Sequence, residues 1–507
     1  MPARASRIGS RLQSTQITLS RAEAIALVSL LVMCLKRDGI KMVAAALRAL
    51  LLGLILVTGV SGRVVLAQRA DLEKVLHRRV LANGLEVIVL VNSGVPLATI
   101  EFDVKNGSFT QTTEFAGLAH MYEHMFFKSN RYFPEPDEFI HRATDLGAIF
   151  NGTTAEERVN YYMTLPSSNL DEGIDLMSAA IRYPNFRRDE LEREKQVVIG
   201  EYDRQESNPF FRLTQTVDRR MYKENASRKN VIGDRQVILA TTPDKMRTIQ
   251  MRYYIPNNSA LIVTGNVDPA QVFASAEKHL GSWQRGPDPF VADPIPPMAP
   301  LRANEAEIIE EPVSNVIVVY MQWHGPNVGA DPGATYAADV FSDILNNPGS
   351  GFHTRLIDSG LFQSVSINYY TLNNVGPITI AGETTREKFR AAVAALDAEI
   401  ARFVDSTYFT RAELEAIKAQ RAVTSAFGLE RASSLAQTIG FWWSVSGVDY
   451  FVDYVDNMAK QTSADLRRYT STYIVGKPRV TGVLLSPESR RALNLTVQEL
   501  VNWRSGR

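Results

Sequence analysis

The chain has 507 residues, 45% of them apolar and 22% charged, with 55 Lys+Arg against 55 Asp+Glu. That length leaves room for three or four domains of ~150 residues, and the balanced charge gives no electrostatic reason to expect nucleic acid or an acidic polymer as a partner. A single cysteine, Cys34, excludes an intrachain disulfide and any thiolate-rich metal site, so a bound transition metal must use histidine and carboxylate.

Charge is skewed only at the start, where residues 1–50 hold eight Lys/Arg and two acids. Two apolar runs, 24–35 and 42–60, flank the polar residues 36–41. The second has the form of a secretory signal, with Lys41 and Arg48 at its head, an apolar stretch over 50–60, and Val65-Leu66-Ala67 as a cleavage site before Gln68. Residues 1–67 are therefore expected to be a targeting segment, with Met42 as an alternative start, and the remainder to be exported, to a periplasm. The competing expectation is a retained membrane tether, because the two runs together are long enough to span a bilayer. Cys34 follows Leu31-Val32-Met33, matches no lipoprotein signal and is given no role.

A first half is expected over residues 70–285. Residues 81–91 read as an Asn83-Gly84 turn followed by a strand, 96–104 as a second strand, and Asn106-Gly107 as a turn. A helix is expected from near Phe115. It carries His120, Glu123 and His124 in the order H-x-x-E-H. At ~100° per residue, all three side chains share one face. Two imidazoles so placed can bind one zinc ion and leave the glutamate beside it to accept a proton from water, the arrangement of the inverted zincin signature. Strands follow at 150–154 and 159–165, then helices at 171–182 and 188–204. A third ligand is required. His141, His279, His324 and His353 lie in unrelated contexts, whereas the charged helix offers Glu194 and Glu201, seven residues apart on one face. They are ~10 Å apart along the axis, so one ion takes only one of them directly. The other can orient a histidine from behind. Spacing alone leaves open which does which.

Helices at 242–254 and 270–280 enclose a strand at 258–265, and six prolines within 287–300 mark residues 286–300 as a linker free of regular structure. A second half is expected over 301–507, and it repeats the first. Phe186 to Lys195 aligns with Phe409 to Lys418, and Thr242 to Val263 aligns with Thr462 to Val483, at nearly equal displacements. The chemistry does not repeat: Glu194 becomes Ile417, Glu201 becomes Thr424, and the histidine pair falls near Asp343 to Asn347. The aromatics Phe441-Trp442-Trp443 and Tyr450 to Tyr454 read as core packing rather than substrate stacking. Nothing after Ser486 carries a readable pattern.

Asn83-Gly84-Leu85, Gly117 to His124, Asn151-Gly152-Thr153-Thr154, Glu194 to Glu201, and Tyr253 with Asn257 together resemble the M16 (insulinase/pitrilysin) metallopeptidases, particularly the half-sized group that includes mitochondrial processing peptidase. The resemblance implies an α+β fold of two homologous halves forming a clam shell around a peptide-binding cavity. It implies one Zn²⁺ per chain on His120, His124 and Glu201, Glu194 in the outer shell, Glu123 as general base, and extended peptides added as a strand near Asn151. A homologous subunit, in a heterodimer or a homodimer, is the partner it implies. Gly152 replaces the family's usual alanine. Ile357 and Gln363 stand where complete members carry an arginine and a tyrosine that grip substrate, so those two groups are expected from a partner chain. The rival expectation is a non-catalytic scaffold that keeps only the fold.

Overall fold

The structure, a computed structural model, describes residue 69 and residues 72–313, 315–428 and 431–503. The expected targeting segment, its cleavage site and Cys34 lie outside the described residues. Among those described, no helix is long and apolar enough to cross a membrane.

Two mixed sheets carry the fold. The first contains β1 (Leu76–Val80), β2 (Glu86–Val91), β3 (Leu97–Val104), β4 (Ile149–Thr154), β5 (Val159–Pro166) and β6 (Ser259–Gly265), in the order β1-β2-β6-β3-β5-β4. The second contains β7 (Glu305–Glu310), β8 (Val316–His324), β9 (Ser364–Tyr369), β10 (Pro377–Thr385) and β11 (Val480–Leu485), in the order β7-β11-β8-β10-β9. Leaving aside β1, strand order and direction repeat: β2 with β6 and β7 with β11 are the parallel pairs, and every other neighbour is antiparallel. The duplication extends to the caps, since Thr242 and Thr462 each accept a backbone N–H at the start of equivalent helices, Pro243–Tyr253 and Ser463–Tyr473. Length had allowed three or four domains; two αβ layers suffice because each sheet is covered on both faces.

One face of the first sheet presents Ala98, Ile100, Phe102 and Val104 to the helices of its own half. The opposite face presents Ile88, Leu90, Ala260 and Ile262, and these are covered by Leu435, Ala436, Ile439 and Trp443 of the helix Ala432–Val445, which comes from the second half. The exchange is reciprocal. The helix Pro209–Tyr222 of the first half lays Leu213, Val217 and Met221 against Val480 and Leu484 of the second sheet. Burial on both faces explains why β2 and β6 read as unbroken apolar runs rather than alternating ones. Each fully buried Leu or Ile in these seams contributes ~1.5–3 kcal/mol, so the halves are welded rather than merely linked. The two equivalent hairpins also meet: Glu157 accepts the backbone N–H groups of Asn373 and Asn374 at 2.7 and 2.6 Å.

The linker expected to lack regular structure contains one helical turn, Pro289–Ala292. Proline is tolerated there because it occupies the first turn, where its missing N–H costs nothing, and Asp288 caps the N–H groups of Phe290 and Val291. The C-terminal stretch without a readable pattern forms two short helices, Pro487–Leu493 and Val497–Asn502, each begun by a capping Ser486 or Thr496.

A polar pair lies inside the welded seam. Glu101 and Asp103 are fully buried on β3 beneath Gly440, where a Cβ would lie 2.3 Å from an Asp103 carboxylate oxygen. Arg158 Nη1 stands 3.6 and 3.5 Å from the two carboxyls and donates to Gln437 O at 2.7 Å, while Asn160 donates to Glu101 at 2.7 Å. One cation cannot neutralise two desolvated acids, and burial pushes both carboxyls up, Asp103 to about 7. A carboxyl whose proton is held more tightly in the folded state stabilises that state at low pH and loses the contribution as pH rises through its folded value. The melting-temperature advantage of Asp103→Asn over the wild type is therefore expected to widen between pH 5 and pH 8, followed by thermal denaturation; a gap independent of pH contradicts the assignment.

Candidate metal centre

The histidine helix spans Leu118–Phe126, starting three residues later than its sequence pattern suggested. The delay has a cause: Thr113–Phe115 closes a separate 3₁₀ turn, and Gly117 at the N-cap takes a left-handed φ of 91°. A Cβ there would sit 2.7 Å from Ile232 O, so only glycine fits. The buried Gln111 then caps the helix, its Oε1 accepting from Gly117 N at 2.8 Å and Ala119 N at 3.4 Å. Leu118, Met121, Tyr122 and Met125 face the core, which leaves His120, Glu123 and His124 half-buried on the other side. The charged helix, Arg188–Glu206, crosses this face. It is anchored by the buried Glu190, which accepts from Ser129 N at 3.1 Å and from the Ser129 hydroxyl.

Together the two helices bring His120, His124 and Glu201 into one cluster whose donor atoms all lie within 4.8 Å of one another. Glu201 Oε2 is 3.5 Å from His120 Nε2 and 3.6 Å from His124 Nε2. Ligand atoms ~2.0–2.2 Å from a tetrahedral ion stand ~3.3–3.6 Å apart, so the spacing fits a shared zinc and is too long for good hydrogen bonds. The second glutamate of the helix has a different place. His124 Nδ1 donates to Glu194 Oε2 at 3.1 Å, which leaves Nε2 free for a metal, and Lys128 Nζ holds Glu194 Oε1 at 2.7 Å.

Burial, with the neighbouring His124, pulls His120 down to about 3, so it is neutral and its ring nitrogen can serve as a ligand at any physiological pH. Burial also acts against charge on His124, but the hydrogen bond to Glu194 and the nearby Glu123 and Glu201 outweigh it and raise this imidazole. Glu194 is lowered despite burial, by its hydrogen bonds to His124 and Lys128. Glu123 is raised by burial, partly offset by the hydroxyl of Thr154, which donates to Oε2 at 2.7 Å.

A cavity of about 630 Å³ opens on His120, Glu123 and Glu201, with Gly152, Thr154 and Asp218 among its walls. β4 is the edge strand of its sheet, and alternation turns Gly152 and Thr154 toward the histidine helix. A Cβ on Gly152 would be 2.9 Å from Glu123 Cγ, which gives the alanine-to-glycine departure a local consequence. The same alternation points Asn151 outward; its side chain is exposed and accepts from Gly152 N at 2.9 Å. Ile357 packs on the second-half core and Gln363 is exposed, and neither lines this cavity. His279 pairs with Asp171 and Asp175, and His353 with Asp358, away from the cluster. Sequence reasoning missed Gln111 and Lys128, and it named Thr154 within its motif without giving it a role. Only Thr154 carried a signal, since it lies two residues from Gly152 on one strand face.

Comparison with known proteins agrees with this geometry. Residues 87–235 match the family model "Insulinase (Peptidase family M16)", and residues 240–421 match "Peptidase M16 inactive domain". The zinc protease PqqE of Helicobacter pylori is 26% identical over 427 residues, covering 80% of this chain and 92% of that protein. An uncharacterized zinc protease of Rickettsia felis is 27% identical over 206 residues, 41% of this chain and 50% of the relative, so that match spans half of the relative's length. Among solved structures, a protease from Helicobacter pylori superposes with a TM-score of 0.73 at 21% identity, covering 81% of this chain and 99% of that one, and has the same two-domain fold. By the residues it matches, the fold it shares and the cluster of His120, His124 and Glu201, the chain belongs to peptidase family M16, the insulinase family.

Proposed function

We propose that the chain is a zinc-dependent endopeptidase that cleaves extended or unfolded peptides. The observation that carries the reading is the convergence of two imidazole nitrogens and the Glu201 carboxylate within 4.8 Å, beside Glu123, in a cavity bordered by a free sheet edge. His120, His124 and Glu201 would hold one zinc ion, with Glu194 fixing the tautomer of His124. Zinc supplies Lewis acidity there, lowering the pKa of a water molecule and polarising a peptide carbonyl. Glu123 is the general base. Its Oε2 is occupied by the Thr154 hydroxyl, which leaves Oε1 to take the proton of the attacking water and return it to the departing amine. Burial moves this carboxyl up toward working pH, the direction that improves a proton shuttle. Substrate adds as a strand along β4, where main-chain hydrogen bonds select extended peptides over folded ones and Asn151 meets the incoming chain.

A homologous chain completes the site. Ile357 and Gln363 carry neither the charge nor the hydroxyl that the family resemblance calls for, and both lie outside the cavity. The basic, apolar N-terminal segment supports export to a periplasm.

Two experiments test the reading. Replacing Glu123 with Gln is expected to lower peptide hydrolysis by ~10²–10⁴-fold while bound zinc, measured by elemental analysis, stays at the wild-type level; a variant that still hydrolyses peptide at the wild-type rate refutes the base. Because one missing oxyanion donor costs ~10²–10³ in rate, the purified chain alone is expected to be slow on unfolded peptides and to accelerate by that factor on mixing with a homologous M16 subunit from the same cell. Full activity of the isolated monomer contradicts the shared site.

A further inference from the structure

The helix Pro209–Tyr222 contributes Thr214, Gln215, Asp218 and Arg219 to the walls of the catalytic cavity. Asp218 is half-buried there, and its carboxyl is held from the far side. Oδ1 accepts from Gln322 Nε2 at 3.0 Å, and the same amide nitrogen donates to the Tyr222 hydroxyl at 3.2 Å. Gln322 is 1% exposed on β8, so the first half supplies the acid and the second half fixes its direction.

Among the described residues Asp218 forms no ion pair, and its Oδ2 takes no hydrogen bond. The cations near it are engaged elsewhere or point to solvent. Lys229 Nζ donates to Glu156 Oε2 at 2.6 Å and to Val375 O at 2.8 Å. Arg219 is exposed and donates to Gln215 Oε1 at 3.3 Å. Asp234, another acid on the cavity wall, is satisfied by the backbone N–H groups of Gln236 and Val237. Burial pushes the Asp218 carboxyl up to about 7; Glu156 adds to the shift, while the Gln322 hydrogen bond and the charge of Lys229 oppose it. A carboxylate desolvated without a counter-ion is costly while the cavity is empty and gains most when a cation enters.

We propose that Asp218 receives a basic side chain, arginine or lysine, of the peptide bound in this cavity, and so determines specificity. The inference rests on the peptidase reading and names the substrate class of that same site. A lone carboxylate offers too few ligands for a second metal ion. A peptide already held along β4 brings its side chain to Asp218 at high effective concentration, and the ammonium or guanidinium donates to the free Oδ2.

The test is calorimetric titration of the zinc-loaded full chain carrying Glu123→Gln, which prevents turnover, with two unfolded peptides identical except for one arginine or its neutral isostere citrulline. The arginine peptide is expected to bind about tenfold more tightly. Adding Asp218→Asn, which keeps the shape and an acceptor for Gln322, is expected to remove that preference and leave the citrulline peptide unaffected. Equal affinity for the two peptides with Asp218 in place overturns the proposal without recourse to any Asp218 variant, and a preference that survives Asp218→Asn overturns it as well. Hydrolysis of both peptides by the wild type reads the peptidase assignment separately. Cleavage of both with no preference in binding defeats the subsite alone, a preference in binding without cleavage defeats the peptidase reading alone, and a chain that binds neither peptide defeats both.

Discussion

The crossing of two helices is the constraint on which everything else depends. Leu118–Phe126 supplies the imidazoles and Arg188–Glu206 the carboxylate, and a shift of one turn, ~5.4 Å, in either would separate Glu201 from both rings. Packing prevents that slip. The histidine helix is pinned at its start by Gly117 against Ile232 and by the buried Gln111, and along its length by Met121, Tyr122 and Met125 in the core. The acidic helix is pinned by Glu190 at one end and, through Glu194, by His124 itself. The site is thus assembled by backbone placement first, and its charges then hold the rotamers.

Duplication explains how such a scaffold arises and why only half of it carries chemistry. In the second half, the helix Pro332–Asn346 takes the place of the histidine helix and Arg411–Gly428 that of the acidic one. Asp343 occupies the position of His120, and Arg421 joins it at 2.6 Å. A guanidinium thus bridges the helices where the first half brings His120, His124 and Glu201 together. The reciprocal exchange of Pro209–Tyr222 and Ala432–Val445 across the two sheets then makes the silent half indispensable, because the back of the first sheet is covered largely by Ala432–Val445 of the second half, with Leu72 and Val75 as its own contribution. The helix pair that gathers His120, His124 and Glu201 in the first half is joined by an ion pair in the second, and a further helix, Ala432–Val445, supplies the cover.

Much of this was legible in the residues, and the limits have physical reasons. The strand expected at 258–265 is Ser259–Gly265, the helix at 242–254 is Pro243–Tyr253, and both repeat in the second half at the displacement read from Thr242 and Thr462. The H-x-x-E-H spacing located His120 and His124, and the charged helix narrowed the third position to two glutamates. Spacing could not choose between Glu194 and Glu201, because that depends on where one helix crosses another. Nor could it reveal the helix exchange: an apolar stripe fixes that a face is buried, not which sheet buries it. Gln111 and Lys128 were invisible because a polar residue that bonds across the chain has no periodic signature. Asn151 was read from its motif, whereas its outward direction follows from the pleat of β4.

The central claim is that three side chains from two helices share one zinc ion. It is tested most directly by measuring zinc per chain, by elemental analysis after dialysis, in the wild type and in Glu201→Gln. The account predicts close to one zinc in the wild type and a large loss in the variant, with folding unchanged by circular dichroism. A wild type that retains no zinc, or a variant that retains all of it, would contradict the assignment of this cluster as the metal centre.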